Sequence, residues 1–124
     1  IMLTREDIED MAKITIPQTK MSPMQYSLWV EAKIMTKGND RLVENVLGLV
    51  GEAGEIAEKV KKQIRDGKPV SGEDAIKELG DVIFYVVALA NYFDSDLDEV
   101  LQRNVDKLNS REERGVLGGS GDNR

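Results

Sequence analysis

The chain has 124 residues, 40% hydrophobic and 32% charged, with a formal net charge of −6. That is enough for one domain with its own core, is ordinary for a soluble globular protein, and argues against a general nucleic-acid binder. Cys and His are both absent, which removes disulfides, thiolate nucleophiles, Ser-His triads and metals held by imidazole or thiolate. Any catalysis must rest on carboxylates, Lys, Arg, Tyr, hydroxyls and a hard cation. A small polyphosphate stays within reach as a substrate if bound cations invert the local field. No apolar run reaches the roughly 18 residues of a membrane span, and the opening IMLTREDIEDMAK has no apolar signal core. With no Cys, a cytoplasmic location is the expectation.

Helix signals dominate the chain. Thr4 before REDIEDMAK is a cap for a short helix, with Asp7 at its third position. In SPMQYSLWVEAKIM, Ser22 caps, Pro23 takes the first helical position and Gln25 can close a capping box. KGND at 37–40 reads as a break. A long helix is expected over about 41–66, because Val46, Val50, Ala53, Ala57, Val60 and Ile64 recur at spacings of three and four. DGKPVSG breaks the chain again. The next helix, about 73–93 with Ser71 or Asp74 at its start, contains VIFYVVALA. Its β-branched and aromatic residues also suit a strand, but the apolar stretch with its flanks is too long for one. Asp96 caps a last helix, with Glu99 at its third position, running to about Arg114.

The expectation is an all-α bundle built on an antiparallel hairpin of helices 41–66 and 73–93. One domain spans 1–114. The Gly-rich tail 115–124 is mobile alone or closes over a bound ligand. More helix is apolar than one small bundle hides, so a homodimer or homotetramer is expected.

The acidic residues are paired. On the second hairpin helix, Glu78 and Asp81 share a side with Val82, Tyr85, Leu89 and Tyr92, a costly place for lone carboxylates. On the first, Glu52 lies beside the apolar stripe, whereas Glu55 lies farther round, toward Lys59 and Lys62. Gly48, Gly51 and Gly54 run along the acidic side, and each costs the helix about 1 kcal/mol; close approach of another helix or of a ligand would explain them. Facing pairs must share protons or hold cations. Oxygen ligands alone select Mg²⁺, with Mn²⁺ as substitute. Mg²⁺ normally keeps water and substrate phosphate in its shell, which points to phosphate-ester or anhydride chemistry; two such ions would clamp a diphosphate.

GLVGEAGEIAEKVKK followed by KELGDVIFYVVALAN resembles the MazG-like all-α nucleoside triphosphate pyrophosphohydrolases. Their pattern E-E-x-x-E, a gap, then E-x-x-D reads here as Gly51-Glu52-x-x-Glu55 and Glu78-x-x-Asp81. Gly51 stands where the family has its first Glu. The resemblance covers roughly 22–124, including the ending GSGDNR. It implies that Glu52, Glu55, Glu78 and Asp81 hold Mg²⁺ and that Glu55 or Glu52 orients or deprotonates the attacking water. Cleavage then falls between the α and β phosphates, yielding a nucleoside monophosphate and pyrophosphate. Candidates for the phosphates are Lys59, Lys62, Lys107, Arg111 and Arg124. Candidates for the base and sugar are Gln25, Trp29, Asn104, Asp122 and Asn123. The substrate leans to a purine, dGTP or GTP, with dUTP, dCTP and phosphoribosyl-ATP as the choices of related enzymes. A competing reading is a non-catalytic helical module that dimerises through residues 82–90. It leaves Glu78 and Asp81 on the apolar face unexplained.

Overall fold

A computed structural model describes Thr4 and residues 20–124. The short helix expected after Thr4 lies outside the described residues. Among the described residues there are four helices and no strand: α1 Pro23–Lys33, α2 Gly38–Asp66, α3 Gly72–Tyr92 and α4 Leu97–Glu113. VIFYVVALA is helical.

The caps explain most boundaries. Ser22 Oγ accepts the Gln25 N–H while Gln25 Oε1 accepts the Ser22 N–H, at 3.1 and 2.8 Å, so the capping box forms. Asp96 accepts the Glu99 N–H at 2.9 Å and starts α4. Ser71, rather than Asp74, caps α3. The break expected at 37–40 falls earlier: Ile34 ends α1 and α2 already begins at Gly38, with Asp40 in its first turn favoured by the helix dipole. Gly67 ends α2 in the left-handed region (φ 66°), as a C-terminal glycine does.

Helices α2 and α3 form the expected antiparallel hairpin. Gly48 lies against Tyr85, and one turn farther along α2 Glu52 meets Glu78 and Asp81. A Cβ on Gly48 would come within 2.6 Å of Tyr85 Cδ1 and closer still to Cε1 and Cζ. Close helix approach therefore accounts for this glycine. It does not account for Gly51 and Gly54, which face open space.

The apolar stripe of α2 corrects the simple amphipathic expectation. The side of α2 that meets α3 carries Asn45, Gly48, Leu49, Glu52 and Ile56. Val46, Val50 and Ile64 lie about a quarter-turn or more round from the middle of that side and Val60 lies at its edge; all four are exposed, Ile64 to 82%. The periodicity was real, but it marks a face that the hairpin does not use.

The dense packing lies at the other end of the hairpin. Val30 of α1 meets Val87 and Ala88 of α3, all fully buried, with Tyr26, Ile34, Phe84 and Leu97 around them. Buried Ser27 fastens three helices: its hydroxyl accepts the Leu97 N–H at 2.9 Å, its carbonyl accepts Asn91 Nδ2 at 2.9 Å, and its Oγ donates to the Pro23 carbonyl. Arg41 of α2 pairs with Glu31 of α1 at 2.5 Å. Helix α4 packs on α1 and α3 but does not reach α2, and residues 101–110 are exposed throughout.

Candidate metal and nucleotide site

The hairpin geometry brings carboxylates from both helices together. One oxygen each from Glu52, Glu78 and Asp81 lies within 4.8 Å of the others. Glu52 and Glu78 are half-buried and Asp81 is exposed. The expectation that Glu78 and Asp81 sit on a buried face is thus corrected. They flank the seam between the helices, near the end away from α1's core contacts, where solvent reaches them. Glu55 is turned outward, exposed, and outside the cluster of three.

The cluster is electrostatically strained. The pKa of Glu52 is raised above the ordinary Glu value. The hydrogen bond with Glu78 is the largest cause, followed by partial burial and the negative charges of Asp81, Glu78 and Glu55. The pKa of Tyr26 is also raised, first by burial and then by the Asp81 charge, which places this α1 phenol beside the acidic seam. Three convergent carboxylate oxygens are a hard donor set, suited to Mg²⁺ or Mn²⁺.

The other expected site residues divide into separate groups. Lys59 and Lys62 join Lys68 and Asp74 around a hollow of about 210 Å³ at the hairpin loop. Asn104 and Lys107 line an open cavity of about 600 Å³ on α4 with Val100 and Arg103. Arg111 is only 4% exposed and its Nη2 donates to the Asp122 carbonyl at 2.7 Å. Asp122 also takes Lys107 and Arg111 at 3.4 Å, and these cations, Lys107 first, hold its carboxyl below the ordinary Asp range. Arg124 donates to the carbonyls of Val116, Leu117, Gly118 and Gly121. Arg114 donates to the Arg124 carbonyl at 2.8 Å, so the tail is folded onto the end of α4 by three guanidinium groups that serve backbone carbonyls. Asn123 is exposed within it.

Gln25 is engaged in the α1 cap. Trp29, 40% exposed, stacks on Tyr26 at 5.6 Å between centroids and meets the edge of Phe84 at 6.1 Å, with Lys33 Nζ 5.4 Å over its ring. Sequence reasoning missed Tyr26 as a neighbour of Asp81, and missed Asn45, which is 4% exposed on the seam. The position of Asn45 two turns before Glu52 on the same helix face was the available signal.

Residues 42–116 match the family described as the MazG nucleotide pyrophosphohydrolase domain. The match holds all four carboxylates together with Lys107 and Arg111, and is narrower than the 22–124 of the sequence resemblance: α1 and the last residues of the tail fall outside it. The chain is also 57% identical over 82 residues to the "Gene 37 protein" of Mycobacterium phage L5, an alignment that spans 63% of this chain and 72% of that protein. No solved structure matches the chain. The hairpin with its facing acids and the match across it lead to one assignment: this chain belongs to the MazG nucleotide pyrophosphohydrolase domain family.

Proposed function

We propose that the protein hydrolyses nucleoside or deoxynucleoside triphosphates between the α and β phosphates, giving a monophosphate and pyrophosphate, with a purine preferred. The observation that carries this reading is the convergence of Glu52, Glu78 and Asp81 from two helices within 4.8 Å, in a family of nucleotide pyrophosphohydrolases. Those three residues would hold Mg²⁺ or Mn²⁺, which when bound neutralises the phosphates and makes the α phosphorus more electrophilic. Glu55, exposed beside the cluster, orients the attacking water and accepts its proton. Glu52 keeps the ion on the α2 side, and Glu78 and Asp81 keep it on the α3 side.

Lys59 and Lys62 stand one to two turns beyond Glu55 toward the hairpin loop, where the departing pyrophosphate would need cations. Lys107, Arg111 and Arg124 belong to the same proposal only if the tail exchanges its present contacts for substrate, closing over it as 115–124 unfolds from α4. The exposed α2 stripe of Val46, Val50, Val60 and Ile64 supports burial against a second copy in a homodimer or homotetramer. No helix among the described residues is long and apolar enough to cross a membrane; a cytoplasmic location is part of the proposal.

The test is product analysis. The purified protein is incubated with each common NTP and dNTP, with Mg²⁺ or with EDTA, and the products are resolved by ion exchange. Monophosphate and pyrophosphate, only with metal, are expected. Stepwise release of inorganic phosphate, or no turnover with any nucleotide, would overturn the proposal.

A further inference from the structure

A hollow of about 220 Å³ lies between the end of α1, the first turns of α2 and the middle of α3. It is smaller than the roughly 300–1,000 Å³ of pockets that enclose a whole drug-sized ligand, and suits one flat ring system. Asn45 precedes Glu52 by seven residues and Tyr85 follows Asp81 by four. At 1.5 Å per residue, the hollow is about 6–10 Å along the hairpin from the carboxylates. A ribose and an α-phosphate bridge such a gap.

Its lining has both apolar and directional parts. Phe84 and Tyr85 supply ring surface, edge to face at 5.4 Å between centroids, against which a base can stack. Asn45 is 4% exposed and one of its two Nδ2 hydrogens goes to the Arg41 carbonyl at 2.8 Å. Its Oδ1, which takes no hydrogen bond among the described residues, is the acceptor it offers a ligand. The adjacent Glu44 is exposed, so its carboxylate reaches the hollow without a burial penalty and only accepts. Lys33 Nζ, held over the Trp29 ring, only donates. The hollow thus offers two acceptors and one donor beside an aromatic wall.

Among the bases, guanine alone presents the complement on one edge: N1–H and N2–H donate while O6 accepts. Cytosine shows one donor group and two acceptors there, thymine and uracil one N–H between two acceptors, and adenine one amino group and one acceptor. A site built on hydrogen bonds rejects the wrong partner strongly, because its polar groups are left unpaired.

We infer that this hollow is the base seat, that Glu44 and Asn45 read the N1–H and N2–H edge of guanine, and that Lys33 reads O6. The inference rests on the nucleotide reading above and assigns specificity to residues other than Gln25 and Trp29.

The test uses monophosphates, so that it needs no turnover. The ¹⁵N-labelled full chain is titrated in EDTA with dGMP, dAMP, dCMP and dTMP, following the Asn45 side-chain amide and the backbone of residues 33–36. Tightest binding by dGMP, by tenfold or more, with shifts centred on those groups, is expected. Glu44→Gln, an exposed change that leaves the fold intact, should weaken dGMP about tenfold and leave dAMP unchanged. Equal affinity for the four bases, a dGMP preference untouched by Glu44→Gln, or shifts confined to residues elsewhere would each overturn the inference. Guanine binding here without hydrolysis of any triphosphate would instead sink the proposed reaction and leave the seat standing.

Discussion

Replacing Gly48 by Ala tests the distance between the two helices that carry the carboxylates. The added Cβ would lie 2.6 Å from Tyr85 Cδ1, and two further ring atoms are nearer. Carbon atoms settle at about 3.5–4.0 Å, so the ring or the helix must move by about 1 Å. A Tyr ring is rigid, and Tyr85 is half-buried between Phe84 and α2. Overpacking of this kind costs about 1–3 kcal/mol. Against this, alanine returns about 1 kcal/mol of helix propensity. Gly51→Ala supplies the control: the same helix and the same propensity gain, with nothing within 4 Å of the new methyl. Subtracting one from the other cancels propensity and leaves the steric part. Urea unfolding should therefore place Gly48→Ala about 1–3 kcal/mol below Gly51→Ala at unchanged m value. The same displacement would widen the seam one turn from Glu52, so nucleotide turnover at saturating Mg²⁺ should fall in Gly48→Ala and hold in Gly51→Ala. Equal stability of the two variants would refute the view that Tyr85 against Gly48 sets the spacing. Destabilisation by Gly51→Ala would mean that another surface covers α2 there, as a second copy would.

Further outcomes are expected. The raised Glu52 pKa means that the folded protein holds a proton the unfolded chain releases; its contribution to stability is complete below the ordinary Glu range and is lost as pH rises through the raised value. Metal-free protein should therefore melt at a lower temperature at pH 7 than just below that range, other groups being equal, and Asp81→Asn should shrink the difference. Mg²⁺ should raise the melting temperature at pH 7 in the parent chain and not in Asp81→Asn; the same metal response in both would remove Asp81 from the site. Ser27→Ala should lose about 1–3 kcal/mol, because the Leu97 N–H at the start of α4 would be left without its acceptor, and limited proteolysis should then open the α3–α4 junction first. Arg124→Ala withdraws the donor from four carbonyls of the tail, so hydrogen exchange should accelerate in 115–124 while α2 and α3 keep their protection. Unchanged exchange there would show that Arg111, Arg114 and Lys107 hold the tail without it.

Local chemistry made most of the fold legible. Ser22 with Gln25, Asp96 with Glu99, and Gly67 at a helix end are short-range devices whose partners lie within three or four residues, and each forms as read. The hairpin was equally accessible, since two long helices joined by a short loop have little choice but to run antiparallel. What one helix alone could not disclose was which side faces the other. The stripe from Val46 to Ile64 satisfies every periodic criterion for a core face, yet the seam runs through Asn45, Gly48, Glu52 and Ile56. Periodicity reports that a face is apolar, not what covers it.

The same limit shaped the site. E-x-x-E and E-x-x-D spacing put two acids on each helix, and the helical wheel set Glu55 farther round than Glu52, but neither could say that Glu52 alone of the α2 pair would meet Glu78 and Asp81. One register position separates a residue that joins the cluster from one that overlooks it. That difference suits the two tasks the proposed reaction poses: Glu52, Glu78 and Asp81 converge where a cation can be held, and Glu55 keeps an exposed carboxylate beside them where a water can approach. Had all four converged, no base would remain outside the ligand set. Glu55→Gln should therefore keep the Mg²⁺-dependent rise in melting temperature while turnover falls by about 10²–10⁴-fold. Loss of the metal response in Glu55→Gln would place its carboxylate among the ligands and return the role of base to Glu52.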